Sequence, residues 1–162
     1  PMTASLPVWP FAILAGLVLL GVRQSRDRVI EPGAMARMAL AMLAFSLYGV
    51  TTAFGASALP VLAWTVGFAA SVFLGGPVLA PRGLAREGDA VRVRGSWLPL
   101  ALMVGIFVAK FALGFATGVG AHVLQAAWFV AMASAVFGMF SGAFAARALA
   151  VQRFVRGARA VA

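Results

Sequence analysis

Hydrophobic residues run along this chain in long blocks and do not alternate with polar ones. Asp, Glu, Lys and Arg are missing from residues 1–22, 38–81, 95–109 and 111–146, and a helix needs about 20 mostly apolar residues to cross a bilayer. These blocks predict five crossing helices, at about residues 6–22, 34–54, 59–76, 98–117 and 123–147: the second block is long enough for a hairpin, and Lys110 interrupts a run that otherwise continues. The links are short. RQSRDR at 23–28 followed by EPG makes a charged turn, GASALP closes an uncharged one, and GVGAH joins the last two helices. The longest polar link is PRGLAREGDAVRVRGSW, 81–97, and a basic tail occupies 148–162. Within the long link, AVRVR after the turn EGD has the alternation of a short strand, Ser96 is placed to cap the next helix, and Trp97 to sit at the water interface.

Composition turns this pattern into a class. The chain has 162 residues, 63% hydrophobic and only 10% charged, whereas a soluble domain carries about a quarter charged residues. The expectation is an all-α integral membrane protein forming one transmembrane domain over 1–162. No basic residue precedes the first apolar run and no small-residue cleavage site follows it, so it reads as a retained helix and not a removable signal. Cysteine and asparagine are absent and isoleucine occurs three times, while Ala, Gly, Val and Arg abound, a bias that points to a GC-rich bacterial genome.

The net charge of +9 comes from twelve arginines and one lysine against four acids. The arginines fall in three groups: Arg23, Arg26, Arg28 and Arg37 after the first helix; Arg82, Arg86, Arg92 and Arg94 after the third; Arg147, Arg153, Arg156 and Arg159 after the fifth. All three lie on one side of a five-helix path. The positive-inside rule puts that side in the cytoplasm, with the N-terminus out and the C-terminus in. A nucleic-acid site is the competing reading of the basic loop and tail, but topology together with anionic headgroups explains the same charges. On that basis Arg82, Arg86, Arg92, Arg94, Arg153 and Arg156 are candidate lipid-headgroup contacts, and nucleic acid is not expected as a partner.

The two hairpins resemble each other. A shift of 64 residues sets Trp64, Val66, Ala69, Val72 and Phe73 on Trp128, Val130, Ala133, Val136 and Phe137, which leaves open a parallel duplication of helices two and three as helices four and five. Small residues also recur: Ser134, Gly138, Gly142 and Ala146 at four-residue spacing, and Gly114 with Gly118. Such stripes let backbones approach, either within the protomer or in a homo-oligomer.

Lys110, the sole lysine, stands at the centre of FVAKFALGF. From the helical rise it lies roughly 12 Å inside the outer end of its helix and about 20 Å from Trp97, with Tyr48, Trp64 and Trp128 at similar depth and Thr51, Thr52 and Thr65 close by. All four acids are cytoplasmic, so no carboxylate reaches it. Its charge has four candidate answers: snorkelling outward, tyrosine and threonine oxygens with the indole faces of Trp64 or Trp128, loss of the proton on burial, or a bound anion. The candidate ligand site is Lys110, Tyr48, Trp64, Thr65 and Trp128. His122 reads as a loop residue and the seven methionines as core. Nothing in the sequence resembles a catalytic constellation, a metal set or a cofactor motif, so neither an enzyme, a metal nor a cofactor is expected.

FSLYGV (45–50), GSWLPLALMVGIFVAKF (95–111) and MFSGAFAARAL (139–149) resemble a family of small uncharacterised bacterial inner-membrane proteins. The resemblance covers nearly the whole chain and implies a multi-pass location without a reaction, drawing attention to Tyr48, Trp97 and Lys110. Two functions follow as expectations. One is a bacterial inner-membrane protein that binds or moves a small anionic or amphipathic ligand near Lys110. The other is a non-catalytic scaffold or accessory subunit that packs against partner helices and anionic lipid. For the topology, a phosphatase fused after Ala162 is expected to be silent and a cytoplasmic fluorescent reporter there bright; phosphatase activity at that end rejects the N-out, C-in arrangement.

Overall fold

In a computed structural model of the chain, residues 8–120 and 122–161 are described. Leu6 and Pro7, the start of the expected first helix, lie outside them, as do Ala121 in the last loop and Ala162 at the end of the tail. Five long helices form: α1 (Trp9–Gln24), α2 (Pro32–Phe54), α3 (Ala58–Leu74), α5 (Leu98–Gly118) and α6 (Ala127–Val161), with α4 (Gly76–Leu79) a single turn. A short 3₁₀ turn, His122–Gln125, precedes α6. Three of the helices, α2, α5 and α6, are long and apolar enough to cross a membrane, while α1 and α3, at 16 and 17 residues, are apolar but shorter.

Local sequence sets the helix ends. Proline stands in the first turn of α1, α2 and α5, where its missing N–H costs no hydrogen bond and its fixed φ suits the helix. Gly55 stops α2 with φ 84° and ψ 165°, a region that is essentially glycine's alone. Ser96 is not the cap that the sequence suggests: Trp97 holds that position, and Ser96, one residue further out, accepts the Leu98 N–H at 3.2 Å through its Oγ.

The centre of the molecule is α6, which packs on both α3 and α2, while α5 packs mainly on α1. The α3–α6 contact is the tightest. A Cβ on Gly138 would strike the Trp64 carbonyl, one on Gly67 the Ala135 carbonyl, and one on Gly142 the Phe68 backbone. The small-residue stripe of α6 is thus occupied inside the protomer. Gly114 and Gly118 on α5 face open space. Serines reinforce the seams: Ser46 Oγ donates to the Phe137 carbonyl at 3.1 Å and Ser71 Oγ to the Met139 carbonyl at 2.8 Å. The burial pattern is inverted relative to a soluble bundle, with Ser46, Ser71, Ser134 and Ser141 buried and Leu40, Leu62, Val66, Phe73, Phe111 and Phe115 exposed. Where lipid is as apolar as leucine, burying large hydrophobes gains little and helices meet through small residues and hydrogen bonds.

Two expectations are corrected. The tail does not trail from a helix ending at 147, because α6 continues to Val161. At 1.5 Å per residue it is about 52 Å long, well beyond a hydrocarbon core of about 30 Å. The polar links also form a three-stranded antiparallel sheet, where the sequence pointed only to one short strand at AVRVR. Its strands are β1 (Arg28–Ile30), β2 (Ala85–Glu87) and β3 (Ala90–Val93), in the order β1-β3-β2. The β2–β3 hairpin turns through Gly88 and Asp89 with φ +63° at Gly88 alone, which suits a primed turn with glycine first. Val91 and Val93 point inward onto Val151, Phe154 and Val155 of α6, while Arg92 points out to Glu87 at 3.2 Å. The α6 extension is therefore the floor of the sheet.

The hairpins α2–α3 and α5–α6 do not pack as equivalents. α2 leans on α6, but α5 leans on α1 and has little contact with α3, and Trp64 is buried where its counterpart Trp128 is 63% exposed. A two-fold bundle is not what these helices build.

Gly138→Ala is expected to lower the thermal midpoint in detergent by several degrees, since its Cβ meets backbone that cannot turn aside. Gly114→Ala is expected to leave it unchanged or raise it, glycine within a helix costing about 1 kcal/mol relative to alanine. Equal midpoints for the two variants would refute the assignment of the stripe to α3.

Candidate functional site

Lys110 points into the bundle. Its Nζ lies 4.5 Å from the ring centroid of Phe45 on α2 and 5.1 Å from that of Phe137 on α6, within the range where an ammonium is held by an aromatic face. It also lies alongside Gly49, where a Cβ would collide with the ammonium. Phe45 and Gly49 are four residues apart and so share one face of α2. The aromatic residue supplies the attraction and the glycine supplies the room. Phe137 is 3% exposed and Phe45 57%, so the cradle is closed on the α6 side and open laterally between α2 and α5.

The closed side is held by a chain of hydrogen bonds. Trp64 Nε1–H donates to Ser46 Oγ at 3.1 Å, and Ser46 Oγ–H donates to the Phe137 carbonyl at 3.1 Å. Trp64 also stacks on Phe68 with centroids 5.3 Å apart. Val50, Trp64 and Phe137 form the buried cluster, with Ala109 and Leu113 of α5 packed on it from either side of Lys110. One serine thus ties α2, α3 and α6 together directly beneath the ring that faces the ammonium.

The layer expected from depth is only partly assembled. Trp64 is buried and supports Phe137, but its indole is hydrogen-bonded to Ser46 and does not face Lys110. Tyr48 and Trp128 are 67% and 63% exposed and turned outward. The threonine hydroxyls are taken up by their own helices: Thr65 donates to the Val61 carbonyl at 2.7 Å, Thr52 to Tyr48 at 2.8 Å and Thr51 to Leu47 at 3.0 Å. Those short back-bonds are what a threonine in a helix commonly makes, and none of the three hydroxyls is bonded to the ammonium. Among the described residues, Lys110 has neither a carboxylate nor a hydrogen-bond partner, so its N–H groups remain open to a ligand.

The residues that sequence reasoning missed are Phe45, Gly49, Ser46 and Phe137. The first three lie on one stripe of α2 and were legible as a stripe, but nothing local tied that stripe to α5. Of the arginines proposed for headgroups, Arg82, Arg86, Arg92, Arg94, Arg153 and Arg156 are all exposed. Arg92 is engaged by Glu87, whose hydrogen bond and charge hold its guanidinium above the usual value, and Arg86 donates to the Gly88 carbonyl at 3.1 Å. Among the described residues no group of three His, Cys, Asp or Glu is placed to hold a metal.

The sequence as a whole matches a family of unknown function, DUF6622, over residues 2–162. The chain belongs to the DUF6622 family. Neither a curated protein nor a solved structure matches it. Membership in DUF6622 names no activity, so for this DUF6622 chain the function has to be argued from the site.

Ser134 provides an internal contrast to Ser46. Both are buried on the same central bundle, but Ser134 Oγ has no hydrogen-bond partner among the described residues. Ser46→Ala strands the Trp64 N–H, and an unmet buried donor costs about 1–3 kcal/mol; Ser134→Ala removes a hydroxyl with nothing to lose. Chemical or thermal unfolding in detergent should show the first variant clearly destabilised and the second equal to wild type or better.

Proposed function

We propose that this protein is a bacterial inner-membrane protein with five crossings, N-terminus out and C-terminus in, that binds an anionic amphiphile within the membrane at Lys110. The observation that carries the reading is the lysine's direction. A long side chain on an apolar helix has a low-cost alternative in snorkelling to the interface, yet this one turns inward between α2 and α6 onto two phenyl faces. An ionisable group held inside the bundle is functional by default in a membrane protein. Phenyl faces attract the ammonium without using its N–H donors, so it is held in place while remaining able to bind an oxyanion. The lateral opening at Phe45 admits a ligand from the bilayer, and the exposed apolar faces of α2 and α5 offer a surface for its tail.

The scaffold reading loses its main support, because the small-residue stripe it relied on is already filled by α3. An enzyme has no acid or histidine near the lysine to act as a base. Binding is therefore the function proposed, with membrane lipid as the partner class.

The test is quenching of Trp64 fluorescence, with the other tryptophans replaced by phenylalanine, by a brominated fatty acid and by its neutral methyl ester in nanodiscs. Wild type is expected to prefer the acid at least tenfold, Lys110→Arg to keep a preference, and Lys110→Met to lose it while retaining its helical circular dichroism. An undiminished preference in Lys110→Met overturns the reading.

A further inference from the structure

A second basic site lies at the other end of α5. Between the end of α1, strand β1 and the helices α2, α5 and α6 there is a cavity of about 170 Å³ whose polar wall is Gln24, Arg28 and Arg147 and whose apolar wall includes Met38, Pro99 and Phe144. By the space one water needs, that is room for on the order of ten water-sized groups. Both guanidiniums line the same cavity.

Their placement is dictated by the fold. In the ladder, Arg28 pairs with Val93 and Ile30 with Val91. Cross-strand partners share a face, so Arg28 occupies the inward face of the sheet together with the two buried valines. There it donates to Gln24 Oε1 at 3.2 Å, and burial lowers its pKa from the usual arginine value without discharging a group that stays protonated in proteins. Arg147 is 3% exposed, where the α6 helix passes behind the sheet, and donates one N–H to the Leu79 carbonyl at 3.1 Å. A guanidinium has five such donors.

Among the described residues no acid answers these charges. Of the four acids, Glu31 pairs with Arg37 at 3.9 Å and Glu87 with Arg92 at 3.2 Å. Asp27 accepts the Gly95 N–H at 2.6 Å, and Asp89 is in the turn at the far tip of the hairpin. Neither Arg28 nor Arg147 has a carboxylate within salt-bridge distance among the described residues. Holding one buried and one half-buried guanidinium around a cavity without a counter-ion is unfavourable, while the same arrangement is favourable once a multivalent oxyanion supplies paired acceptors to the two planar forks. The surface arginines at this end, by contrast, are exposed and require no partner.

We propose that the cavity between Arg28 and Arg147 binds a phosphate group, gripped by the two guanidiniums and the Gln24 amide. Phosphate fits better than carboxylate because its additional oxygens and charge can serve both arginines at once. The group can come from a phospholipid headgroup, since the apolar wall lies between helices at their basic end, or from a free phosphate. The site is about 16 Å along α5 from Lys110, counting from Pro99, and shares no residue with it, so either reading can fail without the other.

The experiment uses the full chain purified in a neutral maltoside detergent, with thermal midpoints and native mass spectrometry read against added inorganic phosphate and, separately, phosphatidylglycerol. The variants are Arg28→Gln, Arg28→Lys and the exposed controls Arg26→Gln and Arg159→Gln; Arg28 is preferred to Arg147 because the Leu79 bond makes Arg147 part of the fold. Wild type and both controls are expected to bind, Arg28→Gln to bind at least tenfold more weakly, and Arg28→Lys to fall between. Stabilisation by phosphatidylglycerol alone identifies a lipid headgroup, and stabilisation by inorganic phosphate identifies the free anion. Binding to neither, equal binding by Arg28→Gln, or an equal loss in the Arg26 and Arg159 controls overturns the proposal.

Discussion

The backbones of α3 and α6 touch, and the rest of the molecule is arranged around that contact. Gly67, Gly138 and Gly142 omit the side chains that would otherwise hold the helices apart, so carbonyls and α-carbons meet directly. In an apolar solvent this is how helices gain attraction: dispersion between close backbones and hydrogen bonds that have no water to compete with them. Trp64 and Phe68 on α3 and Phe137 on α6 are set by the same contact. Ser46 then fastens α2 to the pair, and the ring on which Lys110 rests is held between them.

The remaining helices have a looser relation to this centre. α5 is committed to α1 and meets the α2–α6 edge chiefly through Ala109, Leu113 and the Lys110 side chain. The line where α5 faces α2 and α6 is accordingly where both basic sites lie: an ammonium over two phenyl rings within the bundle, and two guanidiniums around a cavity at the arginine-rich end. Among the described residues neither has an acid of its own. This seam is weakly packed, and among the described residues no acid pairs with the positive charge it carries.

The arginine-rich end shows how a charge pattern can have two physical meanings at once. Most of its arginines are exposed. Arg28 and Arg147 have the same sequence signature but a different environment. Strand alternation turns Arg28 inward, and the continuation of α6 through the basic region carries Arg147 behind the sheet. Counting charges does not separate these two from the other ten.

What the sequence by itself determined is what depends on near neighbours along the chain. Apolar block lengths located the five long helices to within a few residues, the end of α6 excepted, and AVRVR after EGD pointed to a short strand, because solvation and backbone geometry are decided within a few residues. That no acid among the described residues pairs with Lys110 was legible for the same reason. Tertiary structure alone decided which faces meet. It gave the glycine stripe to α3, turned Tyr48 and Trp128 outward, placed Phe45 and Phe137 under the ammonium, added β1 to the hairpin and closed Arg28 and Arg147 around a cavity. On helices apolar all round, no hydrophobic face marks the interior, so orientation is left to small residues and single hydrogen bonds whose partners are 68 to 91 positions distant, as for Ser71 with Met139 and Ser46 with Phe137.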